Sequence, residues 1–373
     1  MNCQFEYINF TNACSFDSIN LWKGCRKVNL LTEQIKSAAL DMGYEKCGII
    51  KISDMSGYGE KLNERIERIP DTKPYYEGFY RFAHLQDTYP WAKSIVICVR
   101  QYGKYQIPDH LKGLIAKYYL VDGRRDDNSE DFQDSLKFEA YMQKMGLKTA
   151  TERKFGITAL RWAALKAGLG IVRKNNFFYT ESGSWVHLEA WLIDKELESV
   201  EVPKLKECPE KCNLCIKSCP TSSLSEPYTM NRSSCVSCLT TWEGWDLPHE
   251  KFNKEMGGWV FGCDICQDVC PMNKGAWNAT EEFPSLSELS KHISLEKILK
   301  MDYTFLENVM QPKFWYIEKH NVWRWKTNAI NAMVNDYKEQ YREYIFYARN
   351  DSNSKVREMA EWAIKKLNLF TNL

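Results

Sequence analysis

The chain has 373 residues, and its 50 Lys and Arg against 49 Asp and Glu give a formal net charge of +1 at pH 7. A net charge this small excludes electrostatic attraction of the whole protein to nucleic acid or to a membrane. Any such partner must therefore bind a local patch of positive charge. Mean hydropathy is −0.49, and no apolar run approaches the length of a membrane span, so we expect a soluble protein. The length predicts two or three domains.

The 14 cysteines indicate bound metal. The first residues, MNCQFEYINFTNACSF, lack a basic segment followed by an apolar one, so we expect no secretory signal and a cytoplasmic location. Because the cytoplasm keeps thiols reduced, metal ligation is the first interpretation of so many cysteines. Five of them have no ligand spacing and are expected to be ordinary thiols: Cys3, Cys14, Cys25, Cys47 and Cys98.

Predicted helices and strands alternate through the first 197 residues. Apolar residues at helical spacing predict helices over 30–42 and 157–167, each followed by a glycine that ends it. Apolar runs and a Gly183-Ser184 turn predict strands over 48–53, 94–99, 177–180 and 186–193. The charge-dense run 121–134 predicts a solvated loop or a helix start. The mixture predicts an α/β or α+β domain over residues 1–197.

Two changes of composition mark further parts of the chain. Residues 208–278 are rich in cysteine and proline, which is typical of a module held together by metal sites. Beyond Pro284, apolar periodicity predicts helices over 323–335, 337–349 and 356–367, with residues 351–354 as a cap of the last. Paired helices of this kind predict a short helical-repeat tail. We place the boundaries at 198–290 for the module and 291–373 for the tail.

The cysteines of the module form two motifs. They read C-x3-C-x2-C-x3-C-P over residues 208–220 and C-x2-C-x3-C-P over residues 263–271. In bacterial ferredoxins the last cysteine of such a run ligates the other [4Fe-4S] cluster. One cluster is therefore predicted to take Cys208, Cys212, Cys215 and Cys270. The other is predicted to take Cys263, Cys266, Cys219 and a fourth thiolate, for which Cys235 and Cys238 compete.

Zinc and disulfides are the alternative interpretations of these motifs. Zinc accepts C-x2-C pairs, but it usually takes separated pairs and has no need of two C-x3-C-P endings. Soft thiolates suit iron-sulfur clusters, which transfer single electrons. Two clusters at ferredoxin separation form a path for electrons, so we expect a reduction site elsewhere in the chain.

Several longer stretches resemble one family. They are CNLCIKSCPTSSL at 212–224, CVSCLT at 235–240, GCDICQDVCPMN at 262–273, AGLGIVRKNNF at 167–177, GSW at 183–185, and KTNAINAMVN with SKVREMAEWAIKKL in the tail. In these stretches, and over nearly its whole length, the chain resembles the epoxyqueuosine reductases. These are cobalamin-dependent enzymes that modify tRNA and are related in fold to the reductive dehalogenases.

The resemblance implies a fold, cofactors and site residues. It implies an α+β protein with a nitroreductase-like α/β domain that holds a base-off cobalamin, a ferredoxin-like module with two [4Fe-4S] clusters, and a HEAT-like helical tail. It favours Cys235 as the fourth ligand of the second cluster, since Cys238 falls where the family tends to have Tyr. The residues implied to line the corrin are Gly168, Gly170, Lys174, Asn175, Gly183, Ser184 and Trp185.

One departure from the family concerns the proton donor. In the reductases an Asp, within V-D-[ST]-x-P-V-L-E, precedes the A-G-L-G alanine by thirteen residues and is thought to protonate the substrate. The matching position here is Lys154, within TATERKFGITAL, and both the Asp and the Pro are absent. Glu152 and Lys154 are therefore the candidate catalytic residues, as a carboxylic acid or as an anion-binding or proton-donating ammonium. The alternative is a charged, solvated turn before a helix.

The implied function is that of a cobalamin-dependent iron-sulfur reductase. Reduction of epoxyqueuosine to queuosine in tRNA is the nearest named activity. One alternative is a reductase or dehalogenase-like enzyme that acts on a different small molecule, and another is an iron-sulfur electron carrier or activator for a partner. We expect an external electron donor of ferredoxin or flavodoxin type, a tRNA or small-molecule substrate, and no membrane partner.

The tail has a modest basic bias that is compatible with phosphate contacts. Its basic residues include Lys313, Lys319, Arg324, Lys326, Lys338, Arg342, Arg349, Lys355, Arg357, Lys365 and Lys366. A solvated helical surface has the same composition. Trp323 and Trp325 are candidates for stacking on bases, although helical spacing favours core packing for at least one of them.

Overall fold

The structure is a computed structural model that describes residues 29–124, 126–241 and 252–369. Its first part is built on a four-stranded antiparallel sheet with strand order β1-β2-β6-β3. A short hairpin of β4 and β5 lies beside it. The strands are β1 (Lys46–Lys51), β2 (Ser94–Gln101), β3 (Thr149–Thr151), β4 (Ile171–Val172), β5 (Phe178–Tyr179) and β6 (Val186–Ile193).

Helix α7 covers one face of this sheet, and helices α1 and α6 cover the other. The helices of this first part are α1 (Leu30–Asp41), α2 (Tyr58–Arg68), α3 (Lys73–Glu77), α4 (Leu85–Thr88), α5 (Lys117–Leu120), α6 (Glu130–Lys144) and α7 (Leu160–Lys166). On β2, Ile95 and Ile97 belong to the core that contains α7, whereas Val96 and Cys98 belong to the core that contains α1 and α6. Burial on both faces explains why this strand is an unbroken apolar run in the sequence.

The predicted elements of the first part are found with shifted ends. Strand β1 ends at Lys51, two residues before the predicted end, because the chain turns into a 3-10 helix at Ile52–Met55. The Asp54 carboxylate accepts a hydrogen bond from the Lys51 backbone N–H at 2.9 Å and stabilises that turn. Strand β6 has the predicted bounds.

Short helices and loops make up the cysteine module, and longer helices form the tail. The module contains α8 (Leu214–Lys217), α9 (Val236–Thr241) and α10 (Ile265–Asp268). The tail contains α11 (Leu286–Ser290), α12 (Leu295–Lys300), α13 (Tyr303–Phe305), α14 (Gln311–Lys313), α15 (Arg324–Asn335), α16 (Arg342–Ala348) and α17 (Ser354–Leu367). The Asn353 side chain accepts from the Lys355 backbone N–H, as the predicted cap of the last helix requires.

The tail shares its core with residues from earlier in the chain. Helix α15 is buried along most of its length, and Trp325 stacks on Phe261 with ring centroids 5.0 Å apart. Trp323 and Trp325 are both buried, so stacking on bases is excluded for them. Residues 102–121 belong to the same apolar core. Among the described residues, no helix combines the length and the apolar character that crossing a membrane requires.

The prediction of a solvated loop over 121–134 is wrong for its first residues. Asp122 and Arg124 are buried and form an ion pair of 2.8 Å. The second half of the run begins helix α6, which agrees with the alternative of a helix start. Charge density alone does not separate the two cases, because a paired charge is buried at far lower cost than a free one.

Candidate iron-sulfur centre and substrate site

Four cysteines come together where α8 packs against α10. Cys215 lies on α8, and Cys270 follows the end of α10. Burial raises the pKa of Cys215, and the nearby thiols of Cys270, Cys208 and Cys212 raise it further. Cys215 therefore interacts with the three cysteines that motif spacing places with it, and the ligation of a cluster by these four thiols stays a prediction.

A second group of thiols lies beside the first. Burial raises the pKa of Cys266, and the thiols of Cys235, Cys263 and Cys219, followed by Cys215 of the first group, act in the same direction. Cys238 lies next to Cys235, and a hydrogen bond between these two thiols lowers the pKa of Cys235 to about 6. Cys235 thus interacts with Cys266 of the second group. Cys238, the other candidate for the fourth ligand, lies next to Cys235.

Hydrogen-bond donors reach a sulfur atom in each group. The backbone N–H of Leu224 donates to Cys219 Sγ at 3.5 Å, and Arg173 Nη1 donates to Cys208 Sγ at 3.8 Å. Donors to ligand sulfur stabilise the reduced form of an iron-sulfur cluster and so influence its reduction potential. Both groups of thiols are soft donor sets that fit iron-sulfur clusters.

Lys174 and Asn175 fix the loops that carry the cysteines. Lys174 Nζ donates to the backbone carbonyls of Pro209, Glu210 and Cys212 at 2.7 to 2.9 Å. Asn175 Nδ2 donates to the carbonyl of Cys266 at 3.0 Å and to the Tyr179 hydroxyl at 2.9 Å. Each residue therefore holds one thiol group against the first part of the chain.

The Gly183-Ser184-Trp185 turn packs on the segment between Cys266 and Cys270. Ser184 Oγ accepts hydrogen bonds from Gln267 Nε2 at 2.9 Å and from Asn273 Nδ2 at 2.8 Å. The Trp185 ring is buried, with Lys117 Nζ 4.4 Å from its centroid. These contacts lock the second cysteine run in place.

Close packing within the protein accounts for the three glycines of the predicted corrin site. A Cβ atom on Gly168, where φ is +71°, would lie 1.7 Å from the carbonyl oxygen of Glu201. A Cβ atom on Gly170 would lie 2.1 Å from the carbonyl oxygen of Tyr179, and one on Gly183 2.7 Å from Asn273 Oδ1. Contact of these glycines, and of Lys174, Asn175, Ser184 and Trp185, with a corrin ring stays a prediction.

The two candidate catalytic residues lie on the loop before α7. Both oxygens of the Glu152 carboxylate accept backbone hydrogen bonds, from Lys154 at 2.7 Å and from Phe155 at 2.6 Å. The Lys154 ammonium lies 5.0 Å from the ring centroid of Phe155 and 5.1 Å from that of Trp315. Glu152 stabilises its own turn, whereas Lys154 presents its charge at an aromatic surface.

A buried charge network supports this loop. Arg124 Nη1 donates to the backbone carbonyl of Lys154 at 3.0 Å, and Nη2 donates to Asp122 at 2.8 Å and to the Tyr316 hydroxyl at 3.0 Å. Burial opposes ionisation of Asp122, but Arg124 outweighs it and lowers the pKa of that carboxyl. Burial also lowers the pKa of Lys313 to about 8, and its ammonium donates to the Asp122 carbonyl at 3.0 Å.

Sequence reasoning missed a basic crevice between the first part of the chain and the module. The crevice is lined by α2, by Tyr76, by Arg161, by Asn176 and by residues 228–230. Its cations are Lys61, Arg65, Arg68 and Arg161, and its one lining carboxylate is Glu64. The signal in the sequence is the spacing of Lys61, Arg65 and Arg68, which places three cations on one face of a helix.

Comparisons with known proteins agree with a double-cluster module. Residues 207–273 match the family described as a 4Fe-4S double cluster binding domain, a span that contains both groups. The epoxyqueuosine reductase of Leadbetterella byssophila is 32% identical over 262 residues, which are 68% of this chain and 83% of the relative. That of Cyclobacterium marinum is 30% identical over 275 residues, which are 71% of this chain and 85% of the relative.

Solved structures share the fold. An epoxyqueuosine reductase with an epoxyqueuosine-modified tRNA-Tyr stem loop has a TM-score of 0.74 at 23% identity, with 90% of each chain covered. The Bacillus subtilis enzyme, with its catalytic aspartate loop swung out of the active site, has a TM-score of 0.73 at 23% identity, again over 90% of each chain.

Two thiol groups in a double-cluster module, joined to a mixed helix and sheet fold, define an iron-sulfur oxidoreductase. Zinc and disulfides are thereby excluded as the main role of these cysteines. The chain belongs to the epoxyqueuosine reductase family. The predicted resemblance, enzyme class and iron-sulfur cofactors are confirmed.

Proposed function

We propose that this chain reduces epoxyqueuosine to queuosine in tRNA, with two [4Fe-4S] clusters and a cobalamin as cofactors. The observation that carries the proposal is the exchange of cysteines between the two runs. The thiol of Cys270 raises the pKa of Cys215 in the first run, and the thiol of Cys219 raises that of Cys266 in the second, which supports the exchange. This exchange is the ligand pattern of a two-cluster ferredoxin, within a family named for epoxyqueuosine reduction.

The ligands follow from the two groups. Cys208, Cys212, Cys215 and Cys270 hold one cluster, and Cys219, Cys235, Cys263 and Cys266 hold the other. When bound, the clusters carry single electrons and the corrinoid supplies a low-valent cobalt for the reduction. The loop around the first group is largely exposed at Pro209, Glu210 and Lys211, which supports docking of an external ferredoxin or flavodoxin there.

The cobalamin is supported by aromatic and cationic side chains near α3. The Arg232 guanidinium lies 3.6 Å from the centroid of Tyr75. Tyr76 lines the basic crevice together with the cations Arg65 and Arg161. A planar, amide-rich ring with an anionic side arm fits aromatic walls and a cationic crevice.

The finer architecture is part of the same proposal. Within the described residues, the part up to 197 is the proposed nitroreductase-like domain, the part from 198 to 290 the double-cluster module, and the part from 291 onward the HEAT-like tail. The helix pairs of the tail, with α15 packed against α17 and α16 against α17, support a helical repeat. The antiparallel sheet with helices on both faces supports a separate first domain.

Contacts with tRNA phosphates come from the exposed cations of the tail. Arg324 and Lys326 are buried, and Lys326 pairs with Asp351 at 2.7 Å, so these two are structural. Exposed residues such as Lys319, Lys338 and Lys365 remain available for phosphates. Lys154 is the proposed proton donor, because the Glu152 carboxylate is occupied by its own turn.

The test begins with anaerobic purification from cells supplied with cobalamin, followed by iron and cobalt analysis. We expect about eight irons and one cobalt per chain. The loaded enzyme with a strong one-electron reductant should convert epoxyqueuosine to queuosine in a tRNA stem loop, as measured by mass spectrometry. A Cys263→Ser variant should lose this activity, whereas Cys47→Ala, on β1, should retain it.

A fully loaded enzyme that leaves the modified RNA unchanged would contradict the tRNA reaction. In that case a small-molecule substrate becomes the leading candidate. The observation that favours it is the replacement of the family's aspartate by Lys154, which alters the charge presented to the substrate.

A further inference from the structure

A buried guanidinium lies against the first thiol group, which contains Cys208. Arg173 directly follows β4 and begins the turn to β5, and its backbone N–H donates to the Phe177 carbonyl at 3.1 Å. The residue is 3% exposed, and its Nη1 donates to Cys208 Sγ at 3.8 Å. The cation of Arg173 therefore reaches a proposed cluster ligand from inside the protein, where water does not screen its charge.

The same guanidinium packs on a tyrosine that contacts a second proposed ligand of this group. Its central carbon lies 5.0 Å from the ring centroid of Tyr179. Burial raises the pKa of Tyr179, and a hydrogen bond with Cys270 raises it further. Cys208 and Cys270 belong to different cysteine runs. Arg173 therefore lies where the two runs are proposed to share one cluster.

The charge of Arg173 has no counter-ion within residues 29–124, 126–241 and 252–369. No carboxylate in these ranges pairs with it, and its Nε is buried without a hydrogen-bond partner. Glu207, the neighbour of Cys208 in the chain, is exposed. A buried cation without an anion is destabilising, because it loses its hydration and gains no ionic partner. An anion at the first thiol group would remove this penalty.

A [4Fe-4S] cluster fits this requirement. With four thiolate ligands the cluster is an anion, and one-electron reduction adds a further negative charge. A nearby buried cation therefore stabilises the reduced form more than the oxidised form, which raises the reduction potential. Lys174 is also buried at this group, but its ammonium donates to three backbone carbonyls. Arg173 is the cation that donates to a ligand sulfur.

We infer that Arg173 raises the reduction potential of the first cluster and so makes this cluster the point where electrons enter the protein. The inference rests on the cluster ligands proposed above. In this step an external one-electron donor is oxidised and the cluster is reduced by one electron, with no bond made or broken. The exposed residues 209–211, beside Cys208, leave this cluster accessible to a donor. Arg173 acts through the cluster and does not touch the substrate.

The experiment is a redox titration of the full-length, iron-loaded protein with soluble mediators, followed by electron paramagnetic resonance. Cys208→Ser assigns the signals, since it should change that of the first cluster only. Arg173→Gln should lower the equilibrium constant for reduction of the first cluster by about 10-fold, which is about 59 mV for one electron. The second cluster should change by less than about 2-fold. Arg173→Lys keeps the charge and should stay within about 3-fold of the wild type.

The matched control is Lys211→Gln, which removes the same charge from the same region of the protein. Lys211 precedes Cys212 in the chain but is exposed, so water and salt screen its charge. Both clusters of this variant should stay within about 2-fold of the wild type. An unchanged first cluster in Arg173→Gln would overturn the inference. An equally large shift in Lys211→Gln would also overturn it, because burial of the charge would then not matter.

Iron content and spin quantification separate a change of potential from a loss of the cluster. If Arg173→Gln does not retain the first cluster, Arg173→Lys decides. A potential like that of the wild type supports the inference, and a 10-fold weaker reduction overturns it. Loss of the first cluster from both variants also overturns it, because Arg173 is then required for assembly. A wild type without the first cluster contradicts the ligand proposal itself, whereas a loaded wild type that is inactive on tRNA leaves the potentials measurable.

Discussion

Arg124 donates a hydrogen bond from Nη1 to the backbone carbonyl of Lys154 at 3.0 Å, so the loop with the candidate proton donor is held by a buried guanidinium. The same guanidinium pairs with Asp122 and reaches the hydroxyl of Tyr316. Three distant segments of the chain therefore meet at one side chain. The position of Lys154 depends on the folding of the tail as well as on its own loop.

Breaking this ion pair should destabilise the protein strongly. Arg124→Gln leaves the Asp122 carboxylate buried without its partner, and we expect the free energy of unfolding to fall by about 3 to 5 kcal/mol. Urea titration of the cluster-loaded protein measures the change. The double variant Asp122→Asn with Arg124→Gln should be less destabilised than the sum of the two single variants. Strict additivity would show that the two side chains do not interact.

Glu152 and Lys154 should respond differently to substitution. Because both Glu152 oxygens accept backbone hydrogen bonds, Glu152→Gln should cost about 1 kcal/mol of stability and leave turnover within about 2-fold of the wild type. Lys154→Met should lower kcat by about 100-fold with little change in KM. Steady-state kinetics with the stem-loop substrate measure kcat and KM of both variants, and the reverse pattern would make Glu152 the proton donor.

Variants of Cys235, which precedes α9, and of Cys238, which lies on α9, should differ in how much iron the protein binds. Cys235→Ser should lose the second cluster, so that iron falls to about half of the wild-type value. Cys238→Ser should keep full iron, because Cys235 remains beside Cys219, Cys263 and Cys266. Iron analysis with electron paramagnetic resonance of the reduced protein distinguishes the variants. Half-loss of iron in Cys238→Ser alone would reverse the ligand assignment.

The free energy of unfolding should decrease as the pH falls, because His187 is buried in its neutral form. Burial lowers its pKa to about 3, Arg124 and Arg100 act in the same direction, and Asp122 opposes them. The unfolded chain, with an ordinary pKa of about 6.5, binds a proton that the native protein does not bind between these two values. Stability from this group is therefore complete above about pH 6.5 and decreases as the pH falls toward 3, by about 1.4 kcal/mol at pH 5.5.

His187→Phe tests this prediction. The substitution keeps a ring stacked near Tyr102, whose centroid is 6.4 Å from that of His187, and removes the titrating group. The free energy of unfolding between pH 7.5 and 5.5 should then depend less steeply on pH than in the wild type. Identical slopes would mean that His187 is protonated equally in the native and unfolded states.

Local patterns predicted the periodic elements well and the buried charges poorly. The apolar run at 186–193 predicts a strand that is buried on both faces of a sheet, and β6 has those bounds. Asp122 and Arg124 look like surface residues in the sequence, yet they are buried because each neutralises the other. The resemblance implies that Gly168 and Gly183 line a corrin, which stays a prediction, and the structure adds that a Cβ at these positions would clash with the Glu201 backbone and with the Asn273 side chain.

The sequence by itself determined the iron-sulfur module, since cluster ligation depends on thiolates at short, fixed spacings along the chain. It also determined the family, through motifs that lie near those cysteines. Only the tertiary structure decided that Arg65 on α2 and Arg161 on α7 meet beside Asn176. Such contacts join residues about a hundred positions apart, and local spacing carries no information about them, because the packing of the whole chain brings them together.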